Sequence, residues 1–386
     1  MKEILAYFPS YFITAALLKN QASAALDAPL SSNRQRNKIY AATLARSQQA
    51  HLTIPELITV GHHLMRKAKL HPHFFGNNSL RDTAQFLAFY ALGLPSDGDY
   101  EKYVSYSLKP QETLKIIELY EQRIARRIPV EYLTQEATYL GNSFYVNEQV
   151  LVPRSLMNTR FRDFLSEVPW SNKRVLDLCT GSGCIGITLA LLKPDLQVDL
   201  LDISEAALQV AEVNIQRYGL SDRVTCIQSH LFDRVTQRYD LIISNPPYVT
   251  VDDYKRGPLE FKNEPKLAFE SGKDGLEHVR EILSKAKDYL NPEGRLIVEV
   301  GFPAAKRIKR KYPLPLKWYT YRKASGKTAF LAMDCVFLCE AKNLPSADYF
   351  QKPWISRWLF RGGRECVSSR HAFSRDPVPL KSLDPD

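Results

Sequence analysis

Apolar residues recur along this chain at two different spacings, and the change falls near residue 134. From His51 the spacing is helical. Leu57, Ile58, Val60 and Leu64 predict a helix over Ile54–Lys69, with basic residues at its end where they complement the helix dipole. Asp82-Thr83 is expected to cap a second helix, running to Leu94 through Phe86, Leu87 and Tyr90, and Pro95-Ser96-Asp97-Gly98 breaks it. A third helix is predicted from Pro110, a residue suited to a first helical turn, to Arg126. Residues 51–133 therefore read as a small helical domain, preceded over 1–50 by an extension without a usable motif.

Residues 134–171 change character. Thr138-Tyr139-Leu140, Gly141-Asn142 and Phe144-Tyr145-Val146 predict a connecting β-hairpin turning at Gly141-Asn142, followed by Val150-Leu151-Val152 and a helix plus linker over 156–171. From Lys173 short apolar runs alternate with helical patterns. Strands are expected over Arg174–Leu178, Val198–Leu201 closing on Asp202, Val224–Ile227, Tyr239–Ser244, Arg295–Val300, Leu316–Tyr321 and Thr328–Met333. Helices are expected over Ile185–Leu192, from a Ser204 cap to Tyr218, over Leu276–Leu290 and over Pro303–Tyr312. Such alternation means an α/β domain, spanning 172–340, built on an open, mostly parallel sheet with helices on both faces. The pattern is lost over 341–386, where Trp354, Trp358 and Phe360 mix with Arg357, Arg361 and Arg364; a poorly ordered tail is expected.

Composition narrows the classes. A formal net charge of +10 favours an acidic or nucleic-acid-rich partner. None of the six cysteines forms a C-x-x-C pair and no histidine cluster accompanies them, so no metal site is expected. They read as buried free thiols in a reducing, cytoplasmic setting. No stretch is long and apolar enough to span a bilayer, and no membrane partner is expected. Ile4–Leu18 followed by Ala22-Ser23-Ala24 imitates a secretory signal, but Glu3, Pro9 and Ser10 interrupt it.

The chemistry gathers at strand ends. Asp177-Leu178-Cys179-Thr180-Gly181-Ser182-Gly183 leaves the first strand and opens a helix whose free N–H groups face any ligand there. With Gly186 the run formally matches G-x-G-x-x-G, a pattern weak by itself. Asp202, about twenty residues on, is placed to accept the hydroxyls of a ribose, as in both NAD and S-adenosylmethionine sites. Asn245-Pro246-Pro247-Tyr248 follows a buried strand. Both prolines lack an N–H, so the loop offers acceptors and no donors at those positions. An acceptor-only clamp suits a planar NH2 group, whose nitrogen is a poor nucleophile until its hydrogens are held.

Together these motifs resemble the protein-glutamine N5-methyltransferases of the class I S-adenosylmethionine-dependent superfamily, in the branch acting on large-subunit ribosomal protein three. The resemblance rests on Arg127 to Leu133, Leu140-Gly141, Val150 to Ser155, Cys179 to Ile185, Asn245 to Tyr248, and the follow-on runs Asn263 to Ala268 and Ser271 to Leu276; it covers about residues 51–340. It implies a seven-stranded Rossmann-like sheet and S-adenosyl-L-methionine as cofactor. Asp177, Thr180, Gly181, Ser182, Gly183, Cys184, Asp202, His230 and Asn245 are then expected at the cofactor. Asn245, Pro246, Pro247, Tyr248 and Arg154 are expected at the substrate, with Asn245, Pro246 and Tyr248 catalytic. The implied partner is ribosomal protein three, free or in ribosome precursors, with ribosomal RNA in reach of the basic surface. Two positions depart from the family pattern. His230 stands where an acidic residue usually faces the adenine amine, and Leu156-Met157-Asn158-Thr159-Arg160 replaces a run with Pro and a carboxylate.

Three alternatives share parts of this pattern: a release-factor glutamine methyltransferase, an adenine or cytosine amino methyltransferase, and a non-catalytic ribosome-assembly factor that keeps the fold. The Glu264-Pro265 to Asp274-Gly275 stretch and the helical N-terminal block favour protein glutamine over nucleic acid. A dehydrogenase lacks a hydride-transfer constellation here.

Overall fold

The computed structural model describes residues 52–70, 79–95, 100–155, 157, 173–312, 314, 316–320 and 334–340. The extension over 1–50, the tail over 341–386, most of the helix expected over 156–171 and the strand expected at Thr328–Met333 lie outside them.

Three helices form the N-terminal block: α1 (Ile54–Lys67), α2 (Leu80–Leu92) and α3 (Pro110–Ala125). Their apolar faces make one cluster around Leu57, Ile58, Leu87, Phe89 and Ile116; a buried side chain of this size contributes about 1.5–3 kcal/mol. Tyr120 joins all three. Its ring lies against Gly61 of α1, where an added Cβ would come within 2.4 Å of Cε2, and its hydroxyl donates to the Ala84 carbonyl of α2 at 2.8 Å. The cap of α2 is Ser79, not Asp82-Thr83. The Ser79 Oγ accepts from Asp82 N, and Asp82 Oδ2 accepts from Ser79 N, so Asp82 is the returning half of the capping pair. Gly93, at φ +66°, ends the helix before the expected Pro95 breaker.

After the short α4 (Val130–Thr134) comes the hairpin of β1 (Glu136–Tyr139) and β2 (Asn142–Tyr145). Its register pairs Tyr139 with Asn142, so the turn residues are Leu140-Gly141 rather than Gly141-Asn142. Both have positive φ, +50° and +78°, the geometry of a two-residue turn that matches strand twist.

The remainder is a seven-stranded sheet in the order β5-β4-β3-β6-β7-β9-β8. Its strands are β3 (Arg174–Leu178), β4 (Gln197–Asp202), β5 (Val224–Gln228), β6 (Tyr239–Ser244), β7 (Leu290–Gly301), β8 (Lys317–Thr320) and β9 (Asp334–Glu340). The first five are parallel; β9 pairs antiparallel with both β7 and β8. The helices are α5 (Cys184–Leu192), α6 (Glu205–Arg217), α7 (Val251–Arg256), α8 (Glu277–Tyr289) and α9 (Phe302–Lys311). One apolar cluster joins α8 and α9 to one sheet face, and a second joins α5 and α6 to the other. A strand over Asp334–Glu340, β9, was not among those expected.

Candidate active site

The parallel strands all end at the same sheet edge, and their order sets the order of the chemistry along it. The loop after β5 carries Ser229-His230-Leu231, β4 ends at Asp202, the glycine loop follows β3, and Asn245 follows β6. These lie over an open cleft, walled also by Val150 to Ser155 and by Pro265, Leu267 and Ala268.

Asp177 is fully buried beneath the glycine loop and does not line the cleft. Its Oδ2 accepts from Thr180 Oγ1 at 2.7 Å and Gly186 N at 2.9 Å, while Oδ1 has no partner among the described residues. Burial pushes its carboxyl up to about 7, against those two hydrogen bonds. These hydrogen bonds tie Asp177 to the glycine loop from beneath. Asp202 does line the cleft. Its two oxygens accept from Gly181 N at 2.9 Å and Ser204 N at 3.0 Å, which leaves lone pairs on both for further donors. Burial raises its pKa, opposed by those backbone hydrogen bonds.

Thr180, Gly181, Ser182 and Cys184 line the cleft, and an added Cβ at Gly181 would meet nothing within 4 Å. Gly183 is the packing glycine of the loop. It has φ +80°, and a Cβ there would lie 2.9 Å from Ile187 Cδ1 and 3.0 Å from Leu200 Cδ1. Burial pushes the Cys184 thiol up to about 12, so it stays a neutral wall residue. A residue without a sequence signal also fixes this loop. Buried Asn214 of α6 donates to the Ser182 carbonyl at 2.9 Å and to the Tyr145 carbonyl at 3.0 Å, and accepts from Tyr145 N at 2.7 Å, so loop, α6 and hairpin are joined.

Asn245 and Pro247 line the cleft next to the glycine loop. Ser244 Oγ donates to the Leu178 carbonyl at 2.8 Å and ties the ends of β6 and β3 together. The Asn245 Oδ1 is buried with no hydrogen-bond partner among the described residues. A buried acceptor in that state costs about 1–3 kcal/mol, which a suitable donor would recover. Tyr248 differs from expectation: half-buried, it packs between two apolar clusters and against Gly301, where an added Cβ would be 3.1 Å from its Cε2. Pro246 and Tyr248 are not among the lining residues.

The follow-on stretch folds back onto this loop. Val249 N donates to the Phe269 carbonyl at 2.8 Å, and Ser271 N to the Val249 carbonyl at 3.0 Å. Arg154, expected at the substrate, lines the cleft but spends its guanidinium on the follow-on. Its Nη1 donates to both oxygens of Glu264 at 2.8 Å, and its head lies 5.8 Å and 5.6 Å from the ring centres of Phe261 and Phe269. Glu264 Oε2 also accepts from Val152 N at 3.1 Å. The neighbouring Ser155 Oγ donates to buried Glu299 at 2.6 Å. Asn263 reaches the helical block, donating to the Arg126 and Arg127 carbonyls at 3.0 Å each.

His230 lines the cleft and is exposed, with Nδ1 3.6 Å from Asp233 and 4.0 Å from Glu281. The described cysteines 179, 184 and 226 are free thiols, and no helix among the described residues is long and apolar enough to cross a membrane.

The methyltransferase small domain family model matches residues 160–256. The chain is 40% identical over 253 residues to the ribosomal protein uL3 glutamine methyltransferase of Neisseria meningitidis serogroup A / serotype 4A, covering 64% of this chain and 82% of that protein. It is equally similar to the enzyme of the same name from Neisseria gonorrhoeae, at 40% identity over 64% and 83% of the two chains. Among solved structures, the hMettl16 catalytic domain bound to an RNA hairpin is 16% identical, with a TM-score of 0.42 over 68% of this chain and 94% of that one.

Proposed function

The chain belongs to the ribosomal protein uL3 glutamine methyltransferase family, and from that premise we propose that it moves a methyl group from S-adenosyl-L-methionine to a glutamine side-chain amide nitrogen of uL3. The observation that carries this reading is the buried, unpartnered Asn245 Oδ1 at the end of β6, beside the glycine loop and Asp202. The residues at the cleft fit the cofactor: Asp202 has lone pairs left for ribose hydroxyls, and Gly181 leaves open space above the loop.

When bound, the cofactor supplies an electrophilic methyl on a cationic sulfur. The protein's part is to prepare the amide. Asn245 Oδ1 accepts one amide hydrogen and the Pro246 carbonyl the other, which fixes the nitrogen's orientation. Both acceptors face hydrogens that become more positive as the nitrogen reacts, so they stabilise the transition state more than the ground state. The proton then leaves to solvent or to a carbonyl of the loop. Tyr248 supports the loop from behind, packed against Gly301, and Arg154 acts by holding the Glu264 segment. Thr180, Ser182, Cys184 and His230 complete the cofactor side.

We assign residues 51–133 to target recognition, 134–171 to a connection that walls the cleft, and 172–340 to methyl transfer. The target is met free or in ribosome precursors, in the cytoplasm. Exposed Lys306, Lys309, Arg310 and Lys311 on α9 support a contact with ribosomal RNA; binding that does not weaken with salt would count against it. The main test is transfer of labelled methyl to uL3, free and in ribosome precursors, with release factor and nucleic acid in parallel. Label on the uL3 glutamine is expected. Label confined to release factor, DNA or RNA would overturn the assignment.

A further inference from the structure

His278 carried no signal in the sequence, yet it lines the cleft on the first turn of α8. Its neighbours determine which ring nitrogen carries the proton. Ser271 Oγ lies 2.8 Å from His278 Nδ1 and also accepts from the His278 backbone N–H at 3.0 Å. Ser271 is fully buried. If Nδ1 donated to Ser271, the serine hydroxyl would be buried with a hydrogen and no acceptor among the described residues, at a cost of the order of a lost hydrogen bond. With the hydroxyl donating to Nδ1, every group is satisfied. The ring is then the Nε2–H tautomer, and the nitrogen that Ser271 does not engage is a donor on a residue lining the cleft. Burial lowers the His278 pKa, opposed by Glu277 and Glu281 and helped by His230, which keeps the ring neutral.

The sheet gives this donor a destination. Along the strand ends, Asn245 lies on one side of the glycine loop and Asp202 on the other, with Ser229 to Leu231 beyond Asp202. Ser229 N donates to the Asp202 carbonyl at 3.0 Å, so the two ends are adjacent. A nucleoside with its ribose at Asp202 and its reactive tail toward Asn245 must put its base at the Ser229 to Leu231 end. The α8 helix closes that end: Leu276 and Val279 pack in one cluster with Leu231, and Glu281 faces His230.

We propose that His278, held by Ser271 as a fixed Nε2–H donor, recognises a ring nitrogen of the cofactor's adenine. It works opposite His230, which stands where an acceptor for the base amine is expected. The inference rests on the function proposed above and adds a specificity residue to it. A purine ring nitrogen is an acceptor that a fixed N–H donor reads directly, and a base lacking that nitrogen is not held.

Calorimetry with S-adenosylhomocysteine and its 1-, 3- and 7-deaza analogues tests this. His278→Leu is expected to bind the parent compound about fivefold more weakly, the worth of about one net hydrogen bond. One deaza analogue should show the same loss with the unaltered protein and no further loss with His278→Leu. His278→Gln, whose amide can donate from a similar position, should keep most of the affinity, and Ser271→Ala should fall between. Nitrogen NMR of the unaltered protein should show the Nε2–H tautomer. An Nδ1–H tautomer, or analogue penalties identical in wild type and His278→Leu, would overturn the proposal while leaving methyl transfer standing. No binding of S-adenosylhomocysteine by the unaltered protein would overturn both.

Discussion

Two loops leave the same edge of the sheet from the neighbouring strands β3 and β6, and they have opposite polarity. The glycine loop presents backbone N–H groups at a helix start, and its polar atoms are tied from beneath by Asp177, Asp202 and Asn214. The Asn245-Pro246-Pro247-Tyr248 loop has no N–H at its two prolines and keeps Asn245 Oδ1 buried without a partner among the described residues. One loop has its polar atoms paired by the fold; the other keeps a buried acceptor without a partner among the described residues. The two loops thus differ in how far their polar atoms are satisfied, although their strands, 66 residues apart in sequence at Leu178 and Ser244, are joined by one hydrogen bond.

The comparison breaks most sharply at Asn245. Asn245→Ala is expected to reduce the rate of methyl transfer by about 10²–10³-fold, as for a lost transition-state hydrogen bond. Binding of S-adenosylhomocysteine should persist, because the other loop is intact. Full activity in labelled transfer would show that the clamp is not the catalytic device.

Next in size is the brace around both loops. Glu264→Ala leaves the half-buried Arg154 without its carboxylate and removes the acceptor for Val152 N. A loss of about 3 kcal/mol in unfolding free energy is expected, read by denaturant titration. A change below about 1 kcal/mol, the size expected of a surface pair, would mean that the ion pair is incidental.

A smaller effect is expected on the donor side. Gly183→Ala puts a Cβ on a residue at φ +80° and within 2.9 Å of Ile187 Cδ1. A destabilisation of about 2 kcal/mol should follow, with weaker cofactor binding by calorimetry. If affinity is unchanged, the loop's shape does not govern the site.

The smallest effect is a pH dependence. Asp177 titrates near 7 when folded, against an ordinary value of 3.8. Between those values the folded chain keeps a proton that the unfolded chain has released, so this group's contribution is complete below pH 3.8 and is lost as pH rises through about 7. Asp177→Asn should flatten that slope. The melting temperature of the variant, relative to wild type, should rise between pH 4 and pH 8; a constant difference across that range would exclude the raised pKa.

What the sequence disclosed followed from how strongly each element is constrained. β3 and β6 begin and end at the predicted residues, because strands buried on both faces are continuous apolar runs. The hairpin turn fell one residue from its predicted place, since Leu140 takes a positive φ that its side chain does not favour. Ser79 and Asp82 are both capping residue types, so the sequence does not show which of the pair is the cap. The helix α7 is too short for its spacing to register. At the site, glycines, prolines and the carboxylate at a strand end were legible because each is chosen for local backbone chemistry. The division of labour between Asp177 below the loop and Asp202 beside it was not, and neither was His278. Those depend on contacts made only when the chain is folded, such as Ser271 meeting His278.

The buried Asn245 Oδ1 has one more consequence. The two acceptors proposed for the amide, Asn245 Oδ1 and the Pro246 carbonyl, would distinguish a glutamine from the acid it becomes on ageing. Glutamine brings two hydrogens to the acceptors, whereas a deamidated target brings a carboxylate, whose lone pairs would face theirs. The same atoms that prepare the nitrogen would therefore turn away damaged copies of the target before any chemistry began.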